Sequence, residues 1–175
     1  MTARRSIVLC ALLGLAGALA APAAVEARPR MLPAGAVADA LAAAAAGDSV
    51  RFDSAMVRGQ VFAVLDTVRS RVRFRGVQFL GGFSLDRVAF SGPVLFEGCE
   101  FRKGASFLES RFEQPALFRR CSFGRHTSFN KAVLSAADFE LSRFSGPATF
   151  VDARFEGDAS FDHAQFEDVY FDRSR

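Results

Sequence analysis

The chain has no tryptophan, one tyrosine, two histidines, three cysteines and one asparagine. Metal centres and nucleophile–base pairs are most often built from such side chains, so their scarcity leaves little room for catalysis. The corresponding motifs are missing too, with no HExxH, CxxC, GxxxxGK or GxSxG. His126 and His163 stand 37 residues apart, without a metal-ligand spacing. Asp152, Glu156, Asp158, Asp162, Glu167, Asp168 and Asp172 form no calcium-loop pattern and read as a solvated acidic face. No catalytic, cofactor-binding or metal-binding residue is expected. Lysine is also rare, at 2 against 20 Arg, which with abundant Ala points to a GC-rich bacterial genome.

A long apolar run is lacking as well. The longest, Ile7 to Ala21, is short of the ~20 residues of a spanning helix. It follows Arg4 and Arg5 and precedes the small-residue site Val25-Glu26-Ala27, with Ala18-Leu19-Ala20 as a rival site. This is the layout of a secretory signal over 1–27, and it implies export to the periplasm or beyond. Uncleaved, the same segment would be a membrane anchor. Arg4-Arg5-Ser6-Ile7-Val8 loosely fits a twin-arginine signal, so either export route is open. Nothing after residue 27 reads as a span.

What is abundant is phenylalanine. All 20 Phe fall between Phe52 and Phe171. The large apolar anchors are Phe74, Phe79, Leu85, Phe90, Phe96, Phe101, Phe107, Phe112, Phe118, Phe123, Phe129 and Leu134, in steps that alternate five and six. After one short step come Phe139, Phe144, Phe150, Phe155, Phe161 and Phe166, and a second short step reaches Phe171. Two residues before each anchor stands Val, Ala, Ser, Thr or Cys, with Phe83 the one exception. Positions two apart share a face of an extended chain, so each unit points one large and one small side chain inward. A helix excludes this pattern, because steps of five and six fall on different sides of a 3.6-residue turn. Hairpin signals are missing, and a solenoid of short strands fits.

The units Cys99-Glu100-Phe101-Arg102-Lys103, Ala116-Leu117-Phe118-Arg119-Arg120 and Ala159-Ser160-Phe161-Asp162-His163 resemble pentapeptide repeats of the Phe-rich variety. The resemblance runs from Val72 to Arg173 and more weakly over Val50 to Val57. It implies an all-β fold, a right-handed four-sided parallel β-helix solenoid with the anchors inside. Anchors four units apart should stack, as in Phe74, Phe96, Phe118, Phe139 and Phe161, or Leu85, Phe107, Phe129, Phe150 and Phe171. Two-sided coils of 11 residues would align the same positions but leave too thin an interior for opposed rings. The expected layout is a linker and short capping α-helix over 28–49, the helix spanning Ala36 to Ala46, then the β-helix over 50–175. Residues 58–71 read as an irregular coil, and five coils make a rod of roughly 25 Å.

Two constellations stand out. Cys99 and Cys121 occupy equivalent inward slots 22 residues apart, and they are either a disulfide or small apolar fillers. Arg69, Arg71, Arg73 and Arg75 alternate along one stretch, as an anion-binding strip or as a charged, solvated strand. Arg119, Arg120, Arg125 and Lys131 extend the basic side without interleaved outer aromatics, which argues against nucleic acid. Residues 51–131 carry 14 basic and 7 acidic residues, against 4 and 9 over 132–175. The reading is an exported, non-enzymatic scaffold or interaction module of the cell envelope with a protein partner, and head-to-tail self-association follows from the opposed halves. The alternative comes from the family resemblance: some pentapeptide-repeat proteins mimic DNA and bind DNA gyrase, conferring quinolone resistance. Those rods are cytoplasmic and acidic along their length, unlike this chain.

Overall fold

The computed structural model describes residues 29–175, so the export segment expected over 1–27 lies outside the described residues. The chain opens with strand β1 (Arg30–Pro33) and helix α1 (Ala34–Ala43). The first coil follows as β2 (Ser49–Asp53), β3 (Ala55–Arg58), β4 (Val61–Phe62) and β5 (Thr67–Val68). The second coil begins with β6 (Arg71–Arg75), which pairs in parallel with β2 so that Phe52 lies level with Phe74. Every fourth strand of the solenoid then stacks on its predecessor, producing four parallel sheets of 6, 7, 6 and 5 strands. They are numbered here as faces one to four, beginning with the sheet of β2 and β6. The molecule is a four-sided β-helix of about six turns.

The inside is built as four columns of rings. On face one Phe52, Phe74, Phe96, Phe118, Phe139 and Phe161 stack at centroid distances of 5.2, 4.9, 5.3, 5.2 and 5.0 Å. On face two Phe79, Phe101, Phe123, Phe144 and Phe166 stack at 4.9, 4.8, 4.6 and 4.6 Å. Face three continues from Leu85 through Phe107, Phe129, Phe150 and Phe171, and face four pairs Phe90 with Phe112 before Leu134 and Phe155. Neighbouring columns meet edge-on, as Phe118 does with Phe107 and Phe129 at 5.3 Å. Phe83 sits in a small slot because its anchor is only Leu85. The displaced ring packs edge-on to Phe79 at 4.7 Å.

Three expectations change. The helix begins and ends earlier than Ala36 to Ala46, and the preceding linker adds β1, paired with β3. Together they cover the first coil, with Leu32, Val37 and Leu41 buried in the common core. Residues 58–71 are regular: β4 and β5 pair in register with Phe83–Ser84 and Ala89–Phe90, with Ala63 and Val68 buried at the anchor positions where a Phe was sought and Val61 buried in the small slot level with Phe83. The rod therefore has six coils instead of five. Finally, Phe155, Phe161 and Phe166 are half-buried and Phe171 is 40% exposed, because no layer follows them among the described residues.

Corners require left-handed backbone. At the corner between faces three and four, Arg87, Glu109, Lys131, Asp152 and Arg173 all have φ of 54–59°. At Gly104 a Cβ would stand 2.0 Å from the His126 carbonyl oxygen, so only glycine fits. The two short steps are absorbed at corners: Ala116 pairs with Ala137 and Ala148 with Val169, at 21 residues instead of 22.

Phe118 is fully buried with rings above, below and to both sides. Replacing it with Ala should destabilise the chain by about 3–5 kcal/mol in denaturant titration, whereas Phe171→Ala should cost far less.

Candidate interaction faces and the buried thiol column

Outward side chains inherit the regularity of the core. On face one the central outward column is Arg51, Arg73, Leu95, Leu117, Asp138 and Ser160. It runs from basic through apolar to acidic and neutral. The column on one side holds Asp53, Arg75, Glu97 and Arg119, followed by Glu140 and Asp162. The column on the other side holds Ser49, Arg71, Pro93, Pro115, Ala136 and Asp158.

The sequence strip Arg69 to Arg75 is divided by this geometry. Arg69 directly follows the face-four strand β5, level with Ser91, and does not share a face with the others. Arg75 is already paired with Glu97 at 2.7 Å. Arg71 and Arg73 remain, joined by Arg51, which β2 stacks directly on Arg73. No acidic side chain pairs with any of these three among the described residues, and the buried Arg73 Nε has no acceptor. Like charges level on adjacent strands repel, so the first two coils hold positive charge that no acidic side chain among the described residues pairs with. The signal for Arg51 was the 22-residue spacing to Arg73. It was missed because the first coil matched the repeat poorly.

Other basic residues are committed elsewhere. Arg119 pairs with Asp138 at 2.5 Å and approaches Glu140 at 3.9 Å. Arg120 and Arg125 sit at exposed corners with positive φ. Lys131 belongs to the alternating corner column, where Glu109 lies 3.1 Å from Arg87 and 3.3 Å from Lys131, and Asp152 lies 2.6 Å from Arg173. Hydrogen bonds from Arg87 and Lys131 hold the Glu109 carboxyl below the usual glutamate range, and one from Arg173 does the same for Asp152. His126 and His163 are exposed, and no group of three metal-ligating side chains is present among the described residues. No helix among them is long and apolar enough to cross a membrane. Face three is nearly uncharged, its column reading Phe62, Ser84, Ser106, Ser128, Thr149 and Tyr170. Phe62 and Tyr170 are outward aromatics, but they lie far from the arginines.

Cys99 and Cys121 are stacked neighbours inside, both buried and both free thiols. They are more than filler. The Cys99 thiol donates to the Phe74 carbonyl at 3.5 Å and the Cys121 thiol to the Phe96 carbonyl at 3.4 Å. Ser142, next in that column, donates to Phe118 O at 2.5 Å, and Ser110 in another column to Leu85 O at 2.7 Å. These four small polar slots thus reach back to an anchor carbonyl of the previous coil, whereas the buried Thr127 hydroxyl has no partner among the described residues. Burial pushes the Cys121 thiol well above its ordinary range.

Parallel coils of this kind, closed inside and columnar outside, define a β-solenoid repeat protein. Residues 85–133 and 129–175 match the family of pentapeptide repeats (9 copies), over half of the chain, and the chain belongs to that family. Neither the comparison with curated proteins nor that with solved structures returned a match.

Two outcomes follow. Cys99→Ser keeps a donor and should be close to neutral, whereas Cys99→Ala should cost about 1 kcal/mol by removing the thiol's hydrogen bond to the Phe74 carbonyl. Because the folded Glu109 pKa is depressed, its ion pairs stabilise above the unfolded pKa and are lost as pH falls through the folded one. Glu109→Gln should therefore lose slightly less melting temperature than the parent between about pH 6 and about pH 3, a small effect because the pairs are exposed.

Proposed function

We propose that the chain is an exported, non-enzymatic interaction module of the cell envelope, a rigid rod that presents flat faces to protein partners. The observation that carries this reading is face one. Its outward residues are sorted by coil into basic, apolar and acidic zones, a pattern the core does not require. The unpaired Arg51, Arg71 and Arg73 would receive carboxylates of a partner, which is the anion-binding role the strip suggests. Export is supported by the layout of the first 27 residues. In an oxidising compartment Cys99 and Cys121 would be close enough to bond, at the expense of both thiol donors.

The gyrase reading is weaker. Mimicry of duplex DNA calls for negative charge along the rod, and the first coils are positive on face one. Purified protein should leave gyrase supercoiling unchanged at micromolar concentration.

The test of the leading reading is intact mass of the native protein from fractionated cells, with and without reduction and alkylation. An envelope species starting near Arg28 is expected, lighter by two hydrogens than its reduced form where the thiols are bonded. A full-length cytoplasmic species would overturn export and bring the gyrase reading forward.

A further inference from the structure

We infer that face one is a self-complementary surface on which two copies of this chain pack antiparallel. The inference rests on the reading of the rod as an interaction module and names the partner. A two-fold axis lying along the strands, midway between the third and fourth coils, sends coil one onto coil six, two onto five and three onto four. Each outward column then meets its own copy run in reverse.

The central column becomes self-matching. Leu95 meets the second copy's Leu117, and Arg73 meets the second copy's Asp138. Arg51 meets Ser160, between the unpaired Asp158 and Asp162. In the charged side column Arg75 meets Glu140 and Glu97 meets Arg119, leaving Asp53 against Asp162 as the one like-charge pairing. In the other side column Pro93 meets Pro115, and Arg71 faces Ala136 one coil from Asp158. A closed isologous pair makes each of these contacts twice. Charge complementarity therefore selects a second copy in this orientation. Packed parallel about an axis along the rod, the basic coils would instead face basic coils.

Three further observations agree. Face one is flat: the rings beneath it tilt by only 2°, 5°, 6° and 6° from Phe74 to Phe161, so the outward columns stay straight. Leu95 and Leu117 are half-buried at the centre, where covering their remaining apolar surface on association is most favourable. Arg51, Arg71 and Arg73 at one end, and Asp158 and Asp162 at the other, have no ion pair of their own among the described residues. Head-to-tail stacking, by contrast, would have to displace α1 and β1 from the first coil.

By strand and coil spacing the face measures on the order of 400 Å² per copy, so the dimer is weak and reversible. The experiment is sedimentation equilibrium of the purified chain up to roughly 200 µM at low salt, a range suited to weak interfaces. The expected result is a monomer–dimer equilibrium whose Kd rises at least about tenfold when salt is raised to about 1 M. Arg73→Glu alone and Asp138→Arg alone should each abolish the dimer, because each places like charges opposite one another twice. Mixed together they should form a heterodimer, since both contacts are restored between unlike copies. As Asp138 also holds Arg119, the melting temperature of each variant is measured first. Should Asp138→Arg fail to fold, Leu95→Glu at the centre of the face replaces it and should abolish the dimer by itself.

A chain that stays monomeric throughout, or a dimer indifferent to these substitutions, overturns the inference. An indifferent dimer would place the contact elsewhere, with the exposed Val169, Tyr170 and Phe171 as the next surface. Either failure leaves the export reading standing, because fractionation and mass test it separately.

Discussion

Adjacent parallel strands lie about 4.8 Å apart, and a phenylalanine ring stacked on its copy wants a similar separation. Here that coincidence organises the whole molecule. Stacked centroids fall between 4.6 and 5.3 Å, so backbone hydrogen bonds and ring packing are satisfied by one repeat. The ring columns fill the interior, and the small slot beside each anchor leaves room for its neighbour to approach edge-on. Where an anchor shrinks to Leu85, Phe83 grows to fill the space. Volume is held, although the residue order is not.

A second constraint follows at the corners, where the chain must turn after two to five residues and some carbonyls leave the ladder. The backbone adopts positive φ there, and buried serine hydroxyls or cysteine thiols reach back to anchor carbonyls of the previous coil. This gives Cys99 and Cys121 a structural reason shared with Ser142 and Ser110. Their column could otherwise have been read only as filler or as a disulfide.

With so uniform an interior, individuality is left to the outward columns. The corner column of Arg87, Glu109, Lys131, Asp152 and Arg173 alternates in charge and ties coil to coil. Face three is almost uncharged. Face one is zoned along the rod and keeps three arginines without an ion-pair partner among the described residues, at a cost in local repulsion. Surface charge left unneutralised in this way is a property of encounter with something else.

The fold was legible in the residues because its period is local. Steps of five and six, a large anchor and a small residue two before it pointed to a solenoid of short strands, and the resemblance to pentapeptide repeats made it four-sided and so named the ring columns from Phe74 onward. The first coil was hidden, since Ala63 and Val68 stand where phenylalanine was sought and only the in-register pairing of Val61 with Phe83 and of Val68 with Phe90 restores it. The candidate surface was partly hidden for a related reason. Outward residues carry no periodic constraint of their own, so Arg69 looked like a partner of Arg71 and Arg73 while Arg51 did not. Sequence alone decided which side chains point in. Only the closed coil, which brings residues 21 or 22 apart to neighbouring strands and turns Arg69 around a corner, decided which outward ones stand together.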